Sequence, residues 1–209
     1  MTNGTQRVDI LIVGAGLTGI GLARHLQREC PQDSFALLES RSAIGGTWDL
    51  FRYPGVRSDS DMYTFSYGSK PWLAKQSLGD GTRIRNYITE AAAEAGVDKH
   101  IRFQHKVVSA RWSSDDACWT VTALRTDSNE TVYFSCNFLM MCCGYYDYEN
   151  GYAPNFSGTD RFSGQVIHAQ HWPEGLDFAN KRVVVIGSGA TAVTLIPELA
   201  KQAKHTVML

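Results

Sequence analysis

A glycine turn near the start of the chain has the spacing that binds the diphosphate of a dinucleotide. The segment GAGLTG fits GxGxxG, follows an apolar run and opens a helical pattern. Gly14 permits a tight turn, Gly16 lets backbone N–H groups approach a pyrophosphate, and Gly19 lets helix and strand pack closely. Leu17, at the start of the helical pattern, completes the predicted binding set. The spacing alone is weak evidence, so the neighbouring residues decide whether this turn is a dinucleotide site.

Glu39 supplies that context. It lies at the end of the next apolar run, 23 residues after Gly16, where a carboxylate accepts hydrogen bonds from a ribose diol. The simpler alternative is a glycine-rich turn with an incidental surface glutamate. Because a carboxylate repels a 2′-phosphate, we predict that this first site prefers FAD or NAD to NADP.

A second glycine turn, GSGATA, follows the apolar run 183–186. Alanine replaces its third glycine, which this fingerprint tolerates. Pro197 falls inside the helical run that follows, and we expect a kink there because an interior proline costs about 3 kcal/mol. Two such turns predict two bound dinucleotides. The predicted residues of the second site are Gly187, Ser188, Gly189, Ala190, Thr191, Ala192 and Val193.

Regular elements must hold both turns in place. Continuous rather than alternating hydrophobicity in 8–13 predicts a strand covered on both faces, as in a parallel sheet. A helix to residue 30 and a strand over 34–39 complete a β-α-β unit. A helix is predicted from an N-cap at Thr82 to Gly96. Three strands forming a meander are predicted near 101–112, 118–125 and 131–143. The end of the third strand, 138–143, and a separate strand over 183–186 are predicted to be buried.

These elements predict an α/β fold: a Rossmann-like dinucleotide-binding domain with a β-meander, followed by the start of a second Rossmann-like dinucleotide-binding domain. The predicted boundaries are 1–145 for the first domain, 146–181 for a linker rich in glycine, proline and aromatic residues, and 182–209 for the start of the second domain, whose second strand is 205–209.

Composition narrows the function classes. Because 20 Lys and Arg residues nearly balance 21 Asp and Glu residues, the chain has no net positive charge that would attract nucleic acid or anionic lipid. Without a signal-peptide pattern or a membrane-length apolar run, we expect a cytoplasmic protein. Five cysteines without a CxxC spacing argue against a disulfide framework and a metal site. They are Cys30, Cys118, Cys136, Cys142 and Cys143.

The linker contains a more specific motif. FSGQVIHAQHWP fits FxGxxxHxxxWP through Phe162, Gly164, His168 and Trp172, and it resembles the signature of Baeyer–Villiger monooxygenases. Related flavin-containing N- and S-oxygenases usually lack the Trp-Pro ending. The simpler alternative is a folded aromatic linker in which His168 and Trp172 merely pack. Even within the resemblance, His168 is expected to be structural rather than an acid–base catalyst.

The loop GGTWDLFRYPGVRSDSDMYTFSY resembles the flavin-facing loop of the same family. By that resemblance Arg57, Ser58 and Asp59 would lie where flavin meets nicotinamide, with Asp59 catalytic, although it could be a plain solvated acid. The backbone of Val107 would contact the adenine. The remaining residues expected to line the FAD are Gly46, Thr47, Trp48, Asp49 and Leu50.

The resemblance implies hydride transfer from NADPH to FAD, reaction of the reduced flavin with O2, and oxygen transfer to a small organic ketone or to a sulfur or nitrogen centre. The family's chains are longer, and the segments expected beyond Leu209 would complete both cofactor sites and most of the substrate pocket. We therefore expect an inactive amino-terminal fragment of a monooxygenase, with exposed apolar residues along 183–186.

Three alternatives remain open. The first is a short, non-catalytic FAD-binding protein. A flavin disulfide reductase has two glycine turns but needs a redox CxxC pair, whereas Cys142 and Cys143 are adjacent. A plain NAD dehydrogenase needs only one glycine turn.

Overall fold

The computed structural model describes residues 4–209. Contacts divide it into two compact units. The first contains the chain up to Trp48 together with 85–145, and the second contains 49–84 together with 146–209. Each unit has its own apolar core. Within the described residues, no helix is long and apolar enough to cross a membrane.

A six-stranded sheet forms the centre of the first unit, in the order β3-β2-β1-β6-β5-β4. Strand β1 lies between β2 and β6 and is parallel to both, so the predicted parallel core is confirmed. Three antiparallel strands on the far side of β1 confirm the meander. The single strand predicted near 101–112 is wrong, because residues 101–102 form a separate strand that pairs parallel with β2 and the meander begins at residue 105. The strands are β1 (Gln6–Val13), β2 (Phe35–Leu38), β3 (Ile101–Arg102), β4 (His105–Ser113), β5 (Cys118–Arg125) and β6 (Thr131–Met141).

The burial of side chains changes along strand β6. Its first half alternates, with Val132, Phe134 and Cys136 buried in the core, as the sequence predicted. The prediction that the apolar run 138–143 is buried is wrong, because Phe138 is 64% exposed and Met141 is 61% exposed. These side chains belong to a strand paired with β1, but no element of this unit covers them.

Helix α1 (Leu17–Glu29) packs on β1 and β2 and buries Ile20 and Ala23. Helix α4 (Gly81–Glu94) is joined to α1 by a hydrogen bond from the Arg24 side chain to the Ala91 carbonyl, and it buries Ile84 and Ile88 at the predicted helical spacing. The predicted N-cap at Thr82 is wrong: the carboxylate of Asp80 accepts a bond from the Arg83 N–H at 2.9 Å, which is the N-cap interaction. Short carboxylate side chains compete well for this position.

The second unit contains the start of another β-α-β arrangement. Strand β7 (Arg182–Val185) leads to helix α5 (Ala190–Ala200), and β8 (His205–Met208) returns parallel to β7. Among the described residues, the two remaining α-helices, α2 (Thr47–Leu50) and α3 (Met62–Phe65), are single turns, and three 3-10 helices cover Val97–His100, Thr159–Arg161 and Ala169–His171. Val184 and Ile186 are more than half exposed. The prediction of a buried strand over 183–186 is therefore wrong, whereas the expected exposure of apolar residues along it is confirmed.

Candidate functional site

The first glycine turn joins β1 to α1 through two close backbone approaches. Gly14 has φ +104°, and a Cβ on it would lie 2.5 Å from the carbonyl oxygen of Cys142. A Cβ on Gly19 would overlap the carbonyl oxygen of Gly14, so only glycine fits. These two residues hold strand, turn and helix together, in agreement with their predicted roles.

Gly16 differs from its two neighbours. An added Cβ would contact only the loop at Gly46, at an ordinary distance of 3.6 Å. Gly16 is also the N-cap of α1, and no side chain caps this end. The backbone here is thus open where the positive end of a 13-residue helix could receive phosphate oxygens.

Glu39 lies directly after β2 and is 5% exposed. One of its carboxylate oxygens accepts a bond from the Ala15 N–H at 2.8 Å, and the other from the Arg41 N–H at 2.9 Å. The oxygen that accepts from Arg41 also accepts a longer bond from the Ser40 hydroxyl at 3.4 Å, whereas the oxygen that accepts from Ala15 has a second lone pair available. Glu39 is therefore fixed at the glycine turn and keeps acceptor capacity for a ribose hydroxyl.

A second loop approaches the turn from the other side. The Gly45 N–H donates to the carbonyl of Ala15 at 3.1 Å, and the Trp48 N–H donates to the carbonyl of Gly45 at 3.1 Å. Gly45 and Gly46 both have positive φ, 131° and 58°. The predicted residues Gly46, Thr47 and Trp48 are thus brought beside Gly14–Gly19. Sequence reasoning missed Ala15 and Gly45, which act through their backbones.

Other predicted flavin residues lie elsewhere in the structure. Val107 lies in β4, half-buried against the core, immediately before a register shift in its pairing with β5. Asp49 and Leu50 fall in the second unit, where the buried Asp49 carboxylate pairs with Arg52 at 2.9 Å. Asp49 therefore has a structural partner within its own unit.

Within the second unit, the segment Arg57–Asp59 is anchored through its middle residue. The buried Ser58 donates its N–H to the carbonyl of Gly79 at 2.8 Å, and its hydroxyl accepts from the Gly79 N–H at 3.0 Å. Arg57 and Asp59 flank it and are exposed. Arg57 also lines an open cavity of about 510 Å³. Both charged side chains can therefore reach a ligand while the backbone stays fixed.

The second glycine turn is also open to solvent. Gly187 has φ +119° and donates its N–H to the carbonyl of Leu209 at 2.8 Å. Gly189 caps α5, and a Cβ there would meet nothing within 4 Å. Ala192, at the place of the third glycine, is buried. The predicted residues Ser188, Ala190 and Val193 are exposed, and Thr191 is half-buried.

The linker motif uses its side chains to fold the linker. His168 Nδ1 accepts from the Gln170 N–H at 3.2 Å, and Nε2 lies 3.2 Å from the carbonyl of Tyr152. Both ring nitrogens are thus occupied, in keeping with the expected structural role. The Gly164 backbone lies against the ring of Phe162, which is 61% exposed. The remaining motif residue, Trp172, packs edge-on against Phe178 with ring centroids 6.4 Å apart.

A parallel α/β unit with a glycine turn and a fixed carboxylate, joined in one chain to a second glycine turn, is typical of proteins that bind two dinucleotides. The model of the flavin-binding monooxygenase-like family matches residues 77–209, and that of an NAD(P)-binding Rossmann-like domain matches 12–76. The chain belongs to the flavin-binding monooxygenase-like family. The resemblance and the α/β, Rossmann-like fold predicted from the sequence are confirmed.

Characterised relatives are longer than this chain. It is 54% identical over 206 residues to the FAD-containing monooxygenase EthA of Mycolicibacterium smegmatis, covering 98% of this chain and 42% of the relative. It is 53% identical over 208 residues to the putative FAD-containing monooxygenase MymA of Mycobacterium tuberculosis, with the same coverage. The chain therefore spans about two fifths of the length of these relatives.

Solved structures agree with these relatives. A steroid monooxygenase bound to NADP superposes with a TM-score of 0.82 at 32% identity, over 97% of this chain and 38% of the other. OTEMO in complex with FAD and NADP gives 0.82 at 33% identity, over 99% and 39%. Cyclohexanone monooxygenase from Rhodococcus sp. Phi1 bound to NADP+ gives 0.80 at 29% identity, over 99% and 38%.

Proposed function

We propose that this chain provides the FAD site and the first part of the NADPH site of a monooxygenase. The whole protein would use O2 to insert oxygen into ketones or to oxidise sulfur or nitrogen centres of small organic molecules. The observation that carries the proposal is the Glu39 carboxylate held by the Ala15 N–H inside the first glycine turn. Membership of the family and the neighbours solved with FAD and NADP support it.

The first turn fits the adenosine diphosphate half of FAD. The open backbone at Gly16 and the uncapped start of α1 would hold the pyrophosphate, and Glu39 would hold the ribose hydroxyls. The backbone of Val107 would contact the adenine, and the loop from Gly46 to Leu50 would line the flavin. Bound FAD would supply the redox chemistry, accepting a hydride and, once reduced, activating O2.

The second turn would hold the pyrophosphate of NADPH at the start of α5, through Gly187–Val193. Asp59 would act at the reacting centre with Arg57 beside it, because both are exposed on a backbone fixed by Ser58. We assign the flavin domain to 1–145, the linker to 146–181 and the start of the NADPH domain to 182–209.

Two alanine variants test the two sites separately. Gly16 and Gly189 have φ of −79° and −74°, and added methyl groups would meet no close atoms. Both variants should therefore fold like the parent chain. A methyl group would still keep a pyrophosphate from the backbone. We expect Gly16→Ala to lose FAD binding, measured by flavin fluorescence, and Gly189→Ala to keep FAD but lose NADP+ binding, measured by calorimetry.

Each variant is the control for the other. Unchanged FAD affinity in Gly16→Ala, at a melting temperature equal to that of the parent, would contradict the proposed FAD site. Addition of NADPH under air then tests catalysis: consumption that rises with an added ketone or sulfide supports the monooxygenase. Tightly bound FAD without NADPH consumption is expected both of an inactive fragment and of a non-catalytic FAD-binding protein; loss of NADP+ binding in Gly189→Ala then favours the fragment.

A further inference from the structure

An open cavity of about 510 Å³ lies within the second unit, and neither glycine turn contributes to its walls. Its volume falls within the range of small-molecule sites, about 300–1,000 Å³. Three segments form the walls: the loop 55–57, the segment 78–82, and helix α5 through Glu198. The proposed function uses Arg57 of this loop but assigns no ligand to the cavity.

Backbone contacts hold these walls together. The Gly81 N–H donates to the carbonyl of Val56 at 2.9 Å, and the same two segments form an antiparallel bridge at Arg57. On the other side, an added Cβ on Gly55 would lie 2.8 Å from the carbonyl oxygen of Thr194, so the loop lies directly on helix α5. The cavity is therefore formed before any ligand enters it.

The charged side chains of the walls leave one positive group without a counter-charge. The carboxylate of Asp80 lies 3.2 Å from the guanidinium of Arg83, and that of Glu198 lies 2.6 Å from the ammonium of Lys201. Within residues 4–209, no carboxylate pairs with the exposed guanidinium of Arg57. The charge that the cavity can offer to a ligand is therefore positive.

The groups beside Arg57 suit an anion that carries an apolar chain. Thr82 is also exposed and lines the cavity with a hydroxyl that can donate. Val56 and Leu78 form the apolar part of the wall, and Leu78 is 40% exposed. A planar guanidinium binds a carboxylate through two parallel N–H···O bonds.

The position of Arg57 in the sequence connects the cavity to the proposed reacting centre. Asp59 follows it by two residues, and two residues of fully extended chain span at most about 7 Å. A small molecule whose acidic group is held at Arg57 would therefore have the rest of its chain close to Asp59.

We propose that this cavity, through Arg57 and Thr82, binds the carboxylate of a small organic substrate whose apolar chain lies on Val56 and Leu78. The substrate class is then an acid that carries a ketone or a thioether. The inference rests on the proposed function, because it names the substrate of the same monooxygenase.

The first test compares two ligands that differ in one charge. The keto acid 6-oxoheptanoate and its methyl ester share the same ketone and the same chain, and ligand-observed NMR titration gives their affinities for the chain without cofactors. Charge-assisted bonds are roughly twice as strong as neutral ones, although exposure weakens an ion pair. We therefore expect the acid to bind about three- to tenfold more tightly than the ester at low salt. High salt should reduce this difference.

Variants assign the preference to residues. Arg57→Gln should abolish the preference for the acid, whereas Arg57→Lys, which keeps the charge without the planar fork, should keep part of it. Leu78→Ala should weaken the binding of acid and ester alike. The matched control is Arg111→Gln, which removes an exposed arginine of the first unit and should change neither affinity. Equal melting temperatures show that each variant keeps its fold.

Two results would overturn the inference directly. One is equal affinity of the parent chain for acid and ester, and the other is an unchanged preference in Arg57→Gln. NADP+ provides a second arm, because its phosphates also pair with guanidinium groups. Displacement of 6-oxoheptanoate from the FAD-loaded chain by NADP+ would overturn the substrate assignment and give the cavity to a nucleotide phosphate. Simultaneous binding of both supports it.

The outcomes also separate this inference from the proposed function. A chain that binds FAD and NADP+ but shows no preference for the acid contradicts the carboxylate site alone. A chain that prefers the acid but binds neither cofactor contradicts the proposed function while supporting the carboxylate site.

Discussion

Replacement of Glu39 by glutamine tests the centre of the first site. The carboxylate is buried and accepts two backbone N–H groups, one on each oxygen. A glutamine in the same place offers one carbonyl oxygen, and its NH2 group faces the second N–H. One buried donor loses its partner, at a cost of about 1–3 kcal/mol. For a chain of this size that lowers the melting temperature by roughly 2–12 °C.

FAD binding should fall in the same variant. The charged acceptor for the ribose hydroxyls becomes a neutral group, and charge-assisted bonds are roughly twice as strong as neutral ones. A loss of about 1.4 kcal/mol corresponds to a tenfold weaker affinity. Circular dichroism of the apo chain gives the melting temperature, and quenching of flavin fluorescence gives the affinity.

The control is Glu174→Gln, which removes the same charge from an exposed position. If Glu39→Gln has the same melting temperature and the same FAD affinity as the parent chain, the carboxylate neither fixes the turn nor holds the ribose. If stability falls but affinity stays, Glu39 is only structural, and the assignment of the ribose site is refuted.

Three further predictions follow from burial and close contact. With a thiol reagent at pH 8, the exposed Cys143 should react first; Cys136 and Cys142 should react slowly because burial raises their pKa values and reduces the thiolate fraction. Phe138→Ser should change stability by less than about 0.5 kcal/mol because the ring is exposed, while light scattering should show less aggregation. Gly19→Ala should give little soluble protein, since its Cβ would overlap the carbonyl of Gly14; normal expression and melting would contradict the close-packing argument.

Local patterns were sufficient to predict most of the elements around the first site. A continuous apolar run, a glycine turn and a helical spacing lie within 25 residues, from Gln6 to Glu29, and the structure forms β1, the turn and α1 from them. Glu39 could be placed because the spacing of a β-α-β unit fixes where β2 ends. The meander was predicted from three runs of strand character separated by turn clusters, although the first run forms two strands, β3 and β4, rather than one.

The prediction of burial was wrong where burial depends on distant parts of the chain. Hydrophobicity in 138–141 and 183–186 correctly predicts strands, but it does not identify the element that covers them, and both runs expose large side chains here. The packing of Tyr53 against Leu195 and Leu199 was missed for a related reason. More than 140 positions separate Tyr53 from these two residues, and no periodicity in either segment refers to the other.

The position of β6 has a consequence for how the proposed FAD site is made during synthesis. The Cys142 N–H donates to the carbonyl of Val13 at 2.8 Å, and β6 pairs along the whole length of β1. The ribosome makes β1 first and reaches Cys142 almost 130 residues later. At about 5–20 residues per second, that interval is on the order of ten seconds. We expect the nascent chain to be unable to hold flavin throughout that interval, with the apolar half of β1 in need of protection by a chaperone.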